Sequence, residues 1–384
     1  MPGQRRGAPP PPPPPPLSAD DSSYYSRTYR SSKFRRPGDG PPRRPSEPRG
    51  GGRPPGGAPR ARRRGGPFRK VLGVLLTLVL IYLITYIGIM AVAYTKLNRV
   101  EALQDYEQRP EQTPGQDWLL VGSDSRQGLT KKEQREMHTG HVGGQRADTM
   151  MLLHIPAGGG KATLVSFPRD SWVPVPGHGR MKLNSAYSLG GPKLAARTLE
   201  VSTGIKLDHY MEVGFGGFAG AVDAMGGVDI CVKHRMKDPK QKITFKKGCQ
   251  TMDGKTGLSY VRSRYDDPRG DFGRVERQRQ FLGALFGKAS SPSTLLNPFR
   301  AGGVAFATAE GVTVDKRDGP YDLTQMFWAM RGAASGDVKT MTVPHTGGSY
   351  VGGQAVVEWD RPRAIKLFNQ LAEDRKVTVK GGTP

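Results

Sequence analysis

The sequence predicts an α/β protein: a single extracytoplasmic α/β/α domain with a central mixed sheet, preceded by one transmembrane helix and a disordered N-terminal tail. Three observations predict it. Basic and proline residues crowd the first 70 positions, a long charge-free run follows, and apolar strands then interleave with amphipathic helices.

The 384-residue chain has 58 Lys and Arg against 34 Asp and Glu, a formal charge of +24. Residues 1–70 hold 17 of the basic and 4 of the acidic side chains, with 18 of the 33 prolines. Such a segment cannot bury enough apolar surface to offset the entropy of ordering it, so it reads as a disordered tail. Much of the positive charge sits there, which makes it a poor argument for nucleic acid, and none is expected as a partner.

Residues 71–94 contain no charged side chain. About 20 apolar residues cross a bilayer core, so one tilted helix fits. Arg62, Arg63, Arg64, Arg69 and Lys70 stand on its N-terminal side, whereas acidic residues soon follow on the other. The positive-inside rule puts the tail in the cytoplasm and the rest outside, in a single-pass cell-membrane protein. Ala91-Val92-Ala93 resembles a signal cleavage site, but signal peptides have shorter apolar cores and seldom follow a long basic leader. A soluble cytosolic enzyme and a multi-span protein are both excluded.

Residues 95–114, polar and with two prolines, read as a stalk, and 115–380 as the domain. Runs at 118–124, 149–155 and 162–168 read as buried strands. Residues 190–203 and 216–225 read as helices, the second ending at Gly226-Gly227 before a strand at 228–232. A further helix follows Gly273, with Phe281, Leu282 and Leu285 as its apolar stripe. Residues 338–344 read as a strand. The last helix has Asp360 as its N-cap and Ala364, Ile365, Leu367, Phe368 and Leu371 as its buried face. Cys231 and Cys249 both lie in the outer part, where a pair is more often bridged than left as two buried thiols. A bridge there would stabilise by about 3 kcal/mol in the chain-entropy model.

Charges gather where strands end. WLLVGS runs into Asp124 and Arg126, Arg146 and Asp148 precede the next strand, and Arg169 and Asp170 end the third. In open α/β sheets ligands collect at such ends. Residues 260–282 add Arg262, Arg264, Arg269, Arg274, Arg277 and Arg279 among four carboxylates. A strand tip with Arg262 and Arg264, a Pro-Arg-Gly-Asp loop and a helix opening at Arg274 would converge on one point. Arg274 and Gln278 share a helix face, and a helix N-terminus favours an anion. Guanidinium forks suit phosphate oxygens. Asp124 and Asp148, with no His or Cys partner, suit a hard cation such as Mg²⁺, with Mn²⁺ as a substitute. Lys182 adds a point charge. The alternative reading throughout is a surface ion-pair network. The run at 210–225, with Phe215, Phe218, Val222 and Met225, reads either as core or as the lining of an apolar slot.

The pieces LLVGSDSR, RADTMMLLHI, SFPRDSWVPVPG, KLNSAYSLGG and GLSYVRSRYDDPRGDFGRVERQRQFL resemble the LytR-CpsA-Psr family of membrane-anchored cell-wall glycopolymer ligases, in its actinobacterial form. The resemblance implies that Asp124 and Asp148 hold Mg²⁺. It implies that Arg169, Lys182, Arg262, Arg264, Arg274 and Gln278 grip a pyrophosphate, with Arg126 and Arg146 beside them. It also implies that Asp271 supports one of those arginines or helps catalysis. The implied reaction moves a glycan from a polyprenyl-pyrophosphate carrier to the 6-hydroxyl of N-acetylmuramic acid in peptidoglycan, releasing polyprenyl phosphate. A polyprenyl-pyrophosphate hydrolase and a membrane-anchored transcription attenuator are the competing readings. Residues 127–145 form a longer insertion than the family pattern leads one to expect.

Overall fold

The computed structural model describes residues 67–125, 146–239, 241–263, 271–333 and 336–382. The tail, the insertion at 127–145, Arg126 and Arg264 lie outside the described residues, as does the side chain of Asp271.

Helix α1, Pro67–Thr95, contains the charge-free run and exposes most of its apolar side chains. Two residues later the chain enters β1, Asn98–Val100, an edge strand of the main sheet. This differs from the stalk expectation for 95–114. Ala102 and Leu103 are buried, their backbone amides donate to Asp315, and Arg109 pairs with the buried Glu200. Polar composition marks the segment's outer side, whereas its backbone and a few side chains tie it to the domain.

The sheet is built from β1, β2 (Gln116–Ser123), β3 (Ala147–Ile155), β4 (Thr163–Phe167), β7 (His209–Val213), β12 (Val312–Asp315) and β13 (Lys339–Thr342), while β5 (Trp172–Val175) pairs with β6 (Gly179–Lys182) and β9 (Met236–Asp238) with β10 (Ile243–Phe245) outside it. Their order across the sheet is β1-β12-β7-β2-β3-β4-β13, with parallel and antiparallel pairs mixed. Alternate side chains of β2 face opposite layers, as the two-residue period of a strand requires. Leu119 and Val121 pack with Leu183, Leu199, Leu367 and Phe368, while Trp118 packs with Met326 and Met330 on the other face. Helices therefore cover both sides of the sheet. Helix α2, Leu183–Thr203, is longer than the sequence suggests, because it continues through non-helical backbone at Gly190 and Gly191. Helix α3, Phe215–Ala224, ends before Gly226, whose φ of +70° suits glycine.

Two further elements depart from expectation. Arg262 closes helix α4, Gly254–Arg262, and is not at a strand tip; Asp253 caps that helix by accepting from the Thr256 amide. The short LSYV run looks like a strand, and periodicity alone cannot separate so short a run from a buried helix turn. Helix α5, Asp271–Ala289, opens before Arg274. In the last helix, Arg361–Ala372, Ala364, Leu367, Phe368 and Leu371 are buried, but Ile365 is exposed. Ile365 lies one position off the 364/367/368/371 stripe and so points away from it.

A second cluster, with Phe215, Val222, Ile230, Phe245 and Phe281, underlies the hairpin formed by β8 (Val228–Val232) and β11 (Gly248–Met252). Cys231 and Cys249 lie opposite each other in that hairpin and are joined by a disulfide. Phe218 and Met225 pack on the same cluster, so the 210–225 run serves as core.

Candidate active site

The ends of β2, β4 and β7 and the starts of β3 and β12 share one edge of the sheet, since Ser123 pairs with Ala147, Met150 with Phe167, and Val213 with Gly122 and Val312. At that edge the ladder is interrupted. Gly122 pairs with Thr149 but Ser123 pairs with Ala147, so Asp148 is the extra residue of a β-bulge. A bulge re-aims its side chain, and bulges recur beside active sites. Just past β2, Asp124 accepts from the Arg146 amide at 2.6 Å through Oδ1 while its own amide donates to the Arg146 carbonyl. The two carboxylates are thus held on adjacent strands, one by backbone and one by a bulge.

Arg169, just after β4, lies 3.0 Å from Asp148 and 3.4 Å from Asp170. Asp170 also lies 3.2 Å from the Lys182 ammonium. The Asn184 amide donates to the Arg169 carbonyl, which ties the arginine's backbone to the start of α2. These groups are 22–31% exposed, so they are partly desolvated yet open to a ligand. Asp170 links Arg169 to Lys182 but is absent from the residues that the sequence singles out for the site. Its only signal there is its place at a strand end.

Arg262 is brought to the same edge by an aromatic ring. Its guanidinium lies over Phe215 at 4.6 Å, and the Phe215 amide donates to the carbonyl of Ser125, next to Asp124. A cation over a ring face is attracted by the ring quadrupole. Arg274 and Arg277 are buried on α5, and Gln278 almost so. The Gln278 amide reaches the Val261 carbonyl at 3.5 Å, and the Arg277 guanidinium donates to the Ser263 carbonyl at 2.5 Å. Gln278 therefore touches the end of α4.

Below Asp124 lies a buried polar group that sequence reasoning did not find. Glu212 accepts from Ser123 Oγ at 2.6 Å and from the Tyr210 hydroxyl at 2.7 Å. Burial and the Glu212 charge push the Tyr210 and Tyr187 hydroxyls well above the ordinary range, so both stay protonated. Glu212 alternates with apolar residues in β7, and that pattern gives no hint that it points inward.

The LytR_cpsA_psr family profile matches residues 82–373. The chain belongs to that family. It is 42% identical over 295 residues to the probable cell wall biosynthesis protein LcpB of Corynebacterium glutamicum, covering 77% of this chain and 68% of that protein. It is 38% identical over 151 residues to the polyisoprenyl-teichoic acid–peptidoglycan teichoic acid transferase TagU of Bacillus cereus, covering 39% of this chain and about half of that protein, 49%. The crystal structure of Bacillus subtilis TagV superimposes with a TM-score of 0.55 at 25% identity, covering 70% of this chain and all of that one.

Proposed function

We propose that this LytR_cpsA_psr domain is a phosphotransferase that moves a glycopolymer from a polyprenyl-pyrophosphate carrier to peptidoglycan at the outer face of the cell membrane. The observation that carries this reading is the edge where Asp124, the bulged Asp148, Arg169, Asp170 and Lys182 are interlocked. The naming of the related TagU as a polyisoprenyl-teichoic acid–peptidoglycan transferase supports the donor and acceptor classes. Helix α1 anchors the domain, with the basic tail in the cytoplasm and the disulfide on the oxidising side.

In the reaction, a hydroxyl oxygen of the acceptor, the 6-hydroxyl of N-acetylmuramic acid, attacks the phosphorus next to the glycan. The bond to the bridging oxygen breaks, polyprenyl phosphate leaves, and the hydroxyl proton is released. Two carboxylates at neighbouring strand ends, with no thiolate or imidazole in the pair, form a donor set that fits Mg²⁺. When bound by Asp124 and Asp148, Mg²⁺ would supply charge neutralisation at the pyrophosphate oxygens. Arg169 and Arg262 grip the pyrophosphate with paired N–H donors, and Lys182 adds a third positive charge. On the sequence pattern alone, Arg126, Arg146, Arg264 and Arg274 are assigned to the same pyrophosphate, and Asp271 to the support of one of these arginines.

The test uses the full chain in lipid nanodiscs with a short-chain prenyl-pyrophosphate glycan and muramoyl peptide fragments. Polyprenyl phosphate release should be matched by glycan–phosphate–muramoyl product, cease with a chelator and return with Mg²⁺. Release without transfer would make the protein a hydrolase, and chelator-resistant transfer would remove the metal from the reading.

A further inference from the structure

One stretch is left unused by the site. From Ala289 to Ala309 the only charged side chain is Arg300, in a chain that is 24% charged. With the preceding α5 this stretch makes a helical hairpin: α5 ends at Ala289, α6 (Pro292–Leu295) turns, and α7 (Pro298–Ala309) returns to β12.

The returning helix lies along α1 in a fixed register. The Tyr82 hydroxyl donates to the Leu296 carbonyl at 3.0 Å, Gly302 sits against Ile89, and the Asn98 amide donates to the Glu310 carbonyl. Positions 82, 89 and 98 thus match 296, 302 and 310, so the two helices run side by side in the same direction. Gly302 makes the approach possible: a Cβ there would stand 2.7 Å from Ile89 Cγ2. Small residues let helix backbones close up in this way inside membranes.

Tyr82 lies at the middle of the charge-free run 71–94. Tyr94 stands twelve positions further on, or about 18 Å of helix. That is more than half of a hydrocarbon core of about 30 Å. We infer that the α6–α7 hairpin is a re-entrant membrane element, inserted among the acyl chains of the outer leaflet beside α1. The inference rests on reading α1 as a membrane anchor.

The side chains fit that surrounding. Leu296 is 72% exposed and Phe299 85% exposed, and both lie at the tip of the hairpin. In water such residues would be a liability; in lipid they are solvated. Backbone at that depth must find partners within the protein. Asn297 accepts from the Phe299 and Arg300 amides, and the Leu296 carbonyl takes the Tyr82 hydroxyl, which itself needs a partner in hydrocarbon. Arg300 and Lys288, the latter in the last turn of α5 with its carbonyl bonded to Ser291 and Thr294, are the unfavourable groups, and their long stems can carry the charges toward the headgroups.

The experiment places a single cysteine at Leu296, Phe299 or Leu83 of the full chain in nanodiscs of phosphatidylethanolamine and phosphatidylglycerol. Cys231 and Cys249 stay bridged, so a nitroxide label goes only to the new thiol. Collision with oxygen against a nickel chelate then reads depth. The Leu296→Cys and Leu83→Cys labels should lie at the same depth to within about one helical turn, roughly 5 Å. Phe299→Cys should be lipid-facing and shallower. Nickel-accessible labels at 296 and 299, with the 83 label in lipid, would overturn the hairpin proposal and leave the anchor intact. A nickel-accessible label at 83 would overturn the anchor, and the hairpin proposal with it.

Discussion

The two edges of the central sheet carry similar chemistry to opposite effect. At one edge Asp124, Asp148, Arg169, Asp170 and Lys182 stay partly exposed. At the other, Asp117, His154 and Asp318 are almost fully buried, with partners on several elements. Asp117 bridges His154 and Thr113, Asp374 holds the other ring nitrogen of His154, and Asp318 accepts from His209 and from the amides of Tyr210 and Asp315. Aspartates stand at both edges, welded in at one and, at the other, able to exchange protein partners for a ligand. For these aspartates, burial and the number of fixed donors make the difference.

The largest effect should come from the open edge. Asp148→Asn and Arg169→Ala should each cut turnover by roughly a hundredfold to a thousandfold, which is about 3–4 kcal/mol of transition-state stabilisation. The melting temperature should hardly move, since partly exposed pairs add little to stability. Arg169→Lys should recover only part of the rate, because it keeps charge and loses the fork. Turnover measured beside a melting curve decides it; wild-type turnover in both variants would make this edge as structural as the other.

Next comes the sealed edge. Asp318→Ala strands a histidine and two buried amides, and should lower stability by about 3 kcal/mol while activity per folded molecule is kept. Urea unfolding followed by specific activity would show it. A stable but inactive variant would contradict the division between the edges.

The smallest effect is a pH dependence. Burial opposes charge on His154, but hydrogen bonds and charge from Asp117 and Asp374 outweigh it and hold its pKa above the ordinary value. A raised native pKa means that this stabilisation is fully present below the unfolded value of about 6.5 and is lost as pH rises through the native one. Melting temperature should therefore fall between pH 6 and pH 9 by more in the wild type than in His154→Gln. Parallel curves would show that His154 does not titrate in that window.

Much of this edge division is legible in the sequence, though unevenly. Asp124, Asp148 and Arg169 declare themselves because apolar runs stop at them. The bulge that aims Asp148 does not, because an extra residue in one strand leaves alternation nearly intact on either side. Glu212 stays hidden for a related reason: a carboxylate in an alternating strand reads as solvent-facing until its partners, Ser123 and Tyr210, arrive from elsewhere. Arg262 stands on a helix end and not on a strand tip, since the short LSYV run suits a strand as well as a helix turn. The 95–114 segment shows the same limit. Its polar surface is local information, while its strand pairing with β12 joins residues more than 200 positions apart.

The passage from α1 to β1 takes only two residues, and β1 is already hydrogen-bonded into the sheet. With α1 in a bilayer, the domain is therefore a post set in the membrane and not a ball on a string. Its open edge has one working height, and it cannot be cast outward to search the wall. On the proposed function, a carrier diffusing in the same leaflet would meet that edge in two dimensions, always at the same elevation. The proposed acceptor would have no such guide, and would have to grow or drift down to within reach of the post.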